Sequence, residues 1–352
     1  MQDNKEQVKL TQYSKGGGCG CKIAPSVLQQ ILQTQTIDNF QLLLVGNESS
    51  DDAAVYEINT ETAVISTTDF FLPIVDDAFD FGRIAAANAI SDVYAMGGTP
   101  LMAIAILGWP IETLPLDSAQ KILEGARAIC KESDIPLAGG HTIDSTDPIF
   151  GLAVTGTVAI KNLRKNNTAQ AGDHLFLTKP IGVGILSTAV KRGLLQTEHY
   201  PKLIQQMTRL NKIGEALGKI KGVHAMTDVT GFGLLGHLIE MAEGSELSAE
   251  LFYSAIKKTE GVDEYLKQKT IPDATFRNWN SYSNKVQFEK GVNVPEAFNL
   301  LPDPQTNGGL LIAVAEEAID VVRDLFNSNQ LEAFIEPIGK CITKQDKTVL
   351  VK

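Results

Sequence analysis

The sequence predicts two mixed α/β domains joined by a polar linker, and three observations carry that expectation. Its 352 residues are 43% hydrophobic and 21% charged, a globular balance with enough chain for two cores. Apolar runs of strand length alternate with longer stretches of helical apolar spacing. Between two such blocks lies one polar stretch, Lys161 to Gly172 (KNLRKNNTAQAG).

Taken in order, residues 1–45 read as a flexible, glycine-rich arm that includes a helix over Ser26 to Gln33. A first domain over 46–160 has a strand at Ala63 to Thr67 and helical spacing from Phe81 to Met96. That helix stops at Gly97-Gly98, and buried-type strands follow at Leu101 to Leu107 and Gly151 to Ile160. A second domain over 170–352 opens with the strand Leu175 to Leu177, and a Gly182-x-Gly184 turn then leads into a helix. Helical segments are expected around 203–218 and 232–243, with late strands near 309–315 and 348–351. The polar segment 245–300 shows no clear pattern, and no repeat of solenoid period is present.

Composition narrows the function. A net charge of −11 argues against a broad nucleic-acid footprint, which needs a basic face. It still admits a polyphosphate bridged by a divalent cation. The segment Met1 to Glu6 lacks the apolar core of a signal peptide. The longest apolar run, Leu101 to Ile111, is broken by Gly108 and Pro110 and is too short to span a bilayer. Four cysteines, two of them in one CxC, do not resemble a secreted disulfide framework. A cytoplasmic, reducing location with no membrane partner is expected.

The segment Gly16-Gly17-Gly18-Cys19-Gly20-Cys21-Lys22 puts two thiols and an ammonium on a backbone that glycine leaves free to wrap around a ligand. Taken alone it fits either a loose terminus or a reactive lid, in which the nearby cation eases the thiol toward its thiolate. Acidic residues stand at strand ends and on an apolar helix: Asp51-Asp52 before Ala53-Ala54-Val55, Asp69 after Ile65 to Thr68, and Asp228 after Val223 to Met226. Asn88 and Asp92 lie one helical turn apart and share a face. Such carboxylates suit a hard cation, although Asp228 before Thr230-Gly231 also suits a turn. The pairs Gly139-Gly140 and Gly308-Gly309 suit tight turns or close approach to phosphate. Gly231-Phe232-Gly233-Leu234-Leu235-Gly236 formally matches a dinucleotide fingerprint, but Asp228 before it would repel a pyrophosphate, and no strand is evident ahead of Glu250. Cys130 and Cys341 read as plain buried residues.

These motifs in this order resemble selenophosphate synthetase, and the resemblance runs over nearly the whole chain. It is carried by Gly18-Cys19-Gly20-Cys21-Lys22, Asp51-Asp52-Ala53-Ala54-Val55, Thr67-Thr68-Asp69-Phe70-Phe71, Asn88-Ala89-Ile90-Ser91-Asp92, Ala138-Gly139-Gly140-His141, Met226-Thr227-Asp228 and Asp303-Pro304-Gln305-Thr306. The resemblance implies an α+β fold of the aminoimidazole ribonucleotide synthetase type, two domains per chain, with N-terminal domains pairing in a homodimer. It implies ATP and selenide as substrates, magnesium as cofactor, and AMP, phosphate and selenophosphate as products. The selenophosphate would supply activated selenium for selenocysteine and selenouridine. By position, Cys19 and Lys22 match catalytic residues, and Asp52, Asp92 and Asp228 match magnesium ligands. Lys22, Ser49, Ser50, Asp51, Asp69, Asp92, Gly140, His141 and Thr142 match nucleotide-binding positions. Two residues depart from the pattern, Lys15 in place of histidine and Asn307 in place of serine. Neither is expected to touch the core chemistry.

Overall fold

The computed structural model describes residues 8–13, 16–23, 25–32, 40–46 and 51–352. In chain order the elements are α1 (Pro25–Leu32), β1 (Leu43–Val45), β2 (Ala54–Asn59), β3 (Thr62–Phe71), α2 (Ala78–Ala95), β4 (Thr99–Trp109), α3 (Leu116–Glu132), β5 (Leu137–Asp144) and β6 (Ile149–Ala159). After the connection come β7 (His174–Leu177), α4 (Val183–Lys191), α5 (Tyr200–Thr208), α6 (Ile213–Gly218), β8 (Val223–Asp228), α7 (Gly233–Gly244) and β9 (Leu247–Leu251). The chain ends with α8 (Val262–Lys267), α9 (Asp273–Tyr282), β10 (Val286–Phe288), α10 (Val294–Leu300), β11 (Leu310–Val314), α11 (Ile319–Ser328), β12 (Gly339–Thr343) and β13 (Val349–Val351).

The strands form two sheets. The first runs β1-β2-β3-β6-β4-β5, antiparallel except for the parallel pair β4 and β5. The second runs β10-β13-β9-β12-β7-β11-β8. Along β3 the period of two is clean: Ala63, Ile65 and Thr67 are buried while Ser66 and Thr68 are exposed. The buried face packs on α2, which is rich in alanine and buried along nearly its whole length. A helix enclosed this fully must be covered on all sides. The first sheet and α3 cover it from one domain, and α5, α6 and β8 from the other. Helix α2 is therefore the shared spine of the molecule.

Its tightest crossing is set by glycine. A Cβ at Gly82 would sit 1.9 Å from the Ile122 carbonyl oxygen on α3, and one at Gly125 would sit 2.0 Å from the Phe79 carbonyl oxygen on α2.

Three segments gain detail beyond the sequence expectation. Residues 203–218 form two helices, α5 and α6, because the chain turns at 209–212, where Asn211 Nδ2 is drawn inward to Ser91 Oγ and the Gly308 carbonyl. The linker 161–172 is packed against the second domain, with Arg164 and Asn166 buried and Lys165 bridged to Ala225. The ambiguous 245–300 segment contains β9, three helices and β10, and its strands are short and locally polar. The last residue of the expected first helix, Gln33, lies outside the described residues.

Gly82→Ala is expected to force α2 and α3 apart and destabilise the protein by on the order of 1–3 kcal/mol, the range for overpacking a close contact. A fall in calorimetric Tm checks this, and an unchanged Tm would mean that the crossing is not as tight as drawn.

Candidate active site

Two periodicities that nearly match build the centre of the site. Residues i and i+2 on one face of a strand and residues i and i+4 on one face of a helix are both roughly 6–7 Å apart. Thr67 and Asp69 on β3 therefore meet Asn88 and Asp92 on α2 in register. Asn88 Nδ2 donates to Asp69 Oδ2 at 2.6 Å, and Thr67 Oγ1 donates to Asp92 Oδ2. Asp69 lies within β3 rather than closing it, since the strand continues to Phe71.

The second domain supplies the opposing wall. Asp228 ends β8 and is 1% exposed, so it is no surface turn residue. Its neighbour Thr227 donates Oγ1 to Asp52 Oδ1 at 2.8 Å, which joins the segment before β2 to the second sheet. Asp51 Oδ1 accepts the main-chain N–H groups of Asn166 and Asp52 at 3.2 and 3.3 Å. The Oδ2 atoms of Asp51, Asp52 and Asp228 are buried without a hydrogen-bond partner.

Burial and mutual repulsion disfavour ionisation throughout this group. Asp52 is pushed well above the usual carboxylate range by burial and then by Asp228, Asp51 and Asp92. Asp92 is pushed well up by burial and then by Asp69 and Asp228. Asp228 is raised to about 6, chiefly by burial, with a Ser91 hydrogen bond opposing. Burial likewise raises Asp51 to about 6, against its two N–H donors. Buried carboxylate oxygens without donors are the chemistry of a hard divalent cation. Among the described residues no three His, Cys, Asp or Glu side chains converge as a complete cage.

The glycine–cysteine arm lies across this group. Residues Gly18–Cys21 form one 3₁₀ turn, anchored by the Gly18 N–H on the Leu72 carbonyl at 3.1 Å. Gly18 has φ +53°, and a Cβ there would lie 2.4 Å from Thr306 Oγ1, so the position requires glycine. The Cys19 N–H donates to Thr306 Oγ1 at 3.0 Å, and its Sγ donates to Asn88 Oδ1 at 3.2 Å. Lys22 Nζ stands 3.4 Å from Asp69 Oδ1. Burial opposes the Lys22 charge, but Asp69 above all outweighs it and keeps the ammonium protonated.

The thiol corrects the sequence expectation. Cys19 is 1% exposed, and burial pushes its pKa well above the ordinary thiol value despite the attraction of Lys22. In this arrangement Cys19 is a covered, protonated thiol. Asn307 is a second correction, because it does reach the core. Its N–H donates to Asn88 Oδ1 at 2.7 Å, the same atom that receives Cys19 Sγ. Its φ of +49° favours asparagine, which visits the left-handed region more readily than most residues. Below it, Lys179 Nζ donates to the carbonyls of Asn307 and Arg209 at 2.8 and 2.7 Å, and burial lowers its pKa to about 7.

The structure thus brings together Cys19, Lys22, Asp51, Asp52, Asp69, Asp92 and Asp228. It places Gly140, His141 and Thr142 elsewhere, in the exposed edge strand β5 rather than in a turn. No hydrogen bond or ion pair among the described residues ties those three to the carboxylates. Ser49, Ser50 and Lys15 lie outside the described residues. Sequence reasoning missed Thr67, Thr227 and Thr306 as the hydroxyls that hold Asp92, Asp52 and the arm. Each stands within two residues of a motif aspartate or glycine, which is the only signal they offered. The GxGxxG glycines serve packing. A Cβ at Gly231 would meet the Cys19 carbonyl oxygen at 2.7 Å and Lys22 Cδ at 3.0 Å, and one at Gly236 would meet Phe232 and Tyr282. Glu250, expected to lack a strand, lies in β9.

The sequence matches two family descriptions, "AIR synthase related protein, N-terminal domain" over residues 50–158 and its C-terminal counterpart over 170–352. Fold and site thus define an AIR synthase related protein, a class in which two α/β units share one chain. A thiamine-monophosphate kinase structure from Stenotrophomonas maltophilia K279a has the same fold, with TM-score 0.65 and 20% identity, over 94% of this chain and 96% of that one. Within the class the chain belongs to the selenide, water dikinase family. It is 53% identical to the selenide, water dikinase of Pseudomonas putida over 98% of this chain and 99% of that protein. To the one from Photorhabdus laumondii it is 52% identical, over 98% of each.

Asn88→Ala removes the acceptor for Cys19 and one donor to Asp69. The Cys19 alkylation rate by iodoacetamide is expected to rise about tenfold, the scale of one to two lost hydrogen bonds. Site-resolved mass spectrometry reads this, and an unchanged rate would show that Asn88 does not hold the arm down.

Proposed function

We propose that the chain makes selenophosphate from ATP, selenide and water, releasing AMP and phosphate. The observation that carries this is the placement of Cys19 and Lys22, on one glycine-built turn, directly against the largely buried aspartates Asp52, Asp69, Asp92 and Asp228. Phosphoryl transfer is mainly positioning and charge neutralisation, and a cation-bridged nucleotide would satisfy carboxylate oxygens that otherwise lack partners. Asp52, Asp92 and Asp228 would hold magnesium, whose role when bound is to neutralise and align the ATP oxygens.

The remaining roles belong to this chain's own groups. Lys22, held charged by Asp69, offers its ammonium to the transferring phosphoryl group. The segment around Ser49, Ser50 and Asp51, together with Asp69, frames the nucleotide. Cys19 positions the selenium nucleophile beneath the arm, where water is kept from the first transfer. Selenide is anionic near neutral pH and needs delivery more than deprotonation. Asn88, Thr306 and Asn307 fix the thiol's place, so the arm must shift from its covered position for selenium to reach Cys19. Hydrolysis of the retained ADP then accounts for AMP.

The same reading includes a homodimer in the reducing cytoplasm. The face of the first sheet turned away from α2 exposes Tyr56, Ile58, Phe70, Met102, Ile104 and Ile143, each 44–60% accessible. An apolar sheet face of this kind asks for a cover, and a second copy of the sheet provides one. His141 shares that face through its pairing with Ile106, and Gly140 and Thr142 lie on the same edge strand. The nucleotide positions on β5 would therefore lie near the subunit seam. Cys19, Cys21, Cys130 and Cys341 are all free thiols, as a reducing compartment requires. Among the described residues no helix is long and apolar enough to cross a membrane.

Incubation with ATP and magnesium is expected to give AMP only when selenide is present. Selenide-independent turnover, or ADP as the final product, would instead indicate a related kinase with another acceptor. Cys19→Ser and Lys22→Ala are each expected to lower selenide-dependent turnover by about a hundredfold or more, the scale of losing one positioned group at a reacting centre. Ile104→Glu is expected to shift the mass measured by light scattering from dimer to monomer. A mass unchanged by that substitution would remove the sheet face from the interface.

A further inference from the structure

On the far side of the arm from the aspartates lies a cavity of about 620 Å³. Gly20, Cys21 and Thr306 line it on the arm side, Lys191 and Arg192 at the end of α4, and Asp273 and Arg277 at the start of α9. Three cationic side chains thus face one carboxylate in a chain whose net charge is −11. Arg277 Nη2 donates to the Gly20 carbonyl at 2.9 Å and Arg192 Nη1 to the Lys269 carbonyl at 3.0 Å. Carbonyl contacts leave both guanidinium charges in place. A concave site in which one sign of charge predominates concentrates ions of the opposite sign.

The two cysteines of the CxC are divided between the two sides. Cys19 Sγ points inward to Asn88, while Cys21 lies on the cavity wall. Thr306 belongs to both sides, since it lines the cavity and its Oγ1 receives the Cys19 N–H at 3.0 Å. The glycine-rich backbone of the arm runs between the cavity and the buried thiol, and a Cβ at Gly18 would already crowd Thr306. One cation, Arg277, is fastened to that backbone.

We propose that this cavity is the receiving site for the anionic selenium substrate, which docks among Lys191, Arg192 and Arg277 before reaching Cys19 beneath the arm. This rests on the selenophosphate reading above and adds to it a route separate from the nucleotide's. ATP is held against the aspartates on one side, and the small anion comes from the other. The two substrates then do not compete for the same positive charge, and the Arg277–Gly20 contact links occupancy of the cavity to the position of the arm.

The test uses the full-length protein and the double variant Lys191→Gln/Arg192→Gln, which leaves the Arg277–Gly20 contact intact. The KM for selenide is expected to rise about fivefold, the scale of removing two partly screened charges, with the KM for ATP and the kcat at saturating selenide unchanged. A second readout needs no turnover. Cys21 is alkylated with iodoacetate and, separately, with neutral iodoacetamide, and the rates are resolved from Cys19 by fragment mass spectrometry. The anionic-to-neutral rate ratio is expected to fall in the variant. An unchanged ratio overturns the anion site. A lower ratio with an unchanged selenide KM also overturns the proposal, since the cavity would attract anions that the reaction does not use. If the unmodified protein makes no selenide-dependent AMP, the selenium assignment falls, while the ratio still reports whether the cavity selects anions.

Discussion

Several buried carboxylates repel one another around the Lys22 ammonium, and most of the molecule's architecture follows from keeping them there. Asp52, Asp69, Asp92 and Asp228 come respectively from the segment before β2, from β3, from α2 and from the end of β8, so no single element could hold the group. Ionised carboxylates this close and this dry are unfavourable in isolation. Hydroxyl and amide donors from Thr67, Thr227 and Asn88 satisfy some of the oxygens, Lys22 offsets part of the charge, and three Oδ2 atoms of the wider group remain unpartnered. Such an arrangement leaves a demand for a cation, which the proposed magnesium-bridged nucleotide would meet.

The two domains are coupled through the same group. Helix α2 is buried between them, and contacts from Thr227 to Asp52, Asn211 to Ser91 and Asn307 to Asn88 cross from one to the other. The arm adds a third body to this junction through Thr306 and Asn88. A shift of the arm therefore changes what Asn88 can offer Asp69, and the thiol and the lysine's partner respond together. Lys179, buried beneath Asn307, keeps the far end of this chain of contacts in place.

Much of the fold was legible because its signals are local. The strand at 63–67, the helix before Gly97-Gly98 and the turn at Gly182 rest on periodicity and glycine alone, and the structure has all three. The short strands β9, β10 and β12 were not legible, because their stability comes from pairing with distant partners rather than from their own sequence. The site shows the same division. Asn88 and Asp92 stand one turn apart, and that spacing alone put them on one face. Nothing local to Cys19 says that it is covered, because the residues that cover it, Asn88 and Thr306, lie 69 and 287 positions away. The cation-assisted thiolate inferred from Lys22 was therefore outweighed by burial, which a sequence window does not contain.

The most direct test is the thermal stability of the protein with a non-hydrolysable ATP analogue, in magnesium and in excess chelator, compared between the unmodified chain and Asp228→Asn. A ligand that binds only the folded state raises Tm through its binding free energy. If the buried carboxylates are the seat of a cation-bridged nucleotide, the analogue raises Tm in magnesium, does so far less in chelator, and loses most of its effect in Asp228→Asn. An equal rise with and without magnesium, or an undiminished rise in the variant, would contradict the account.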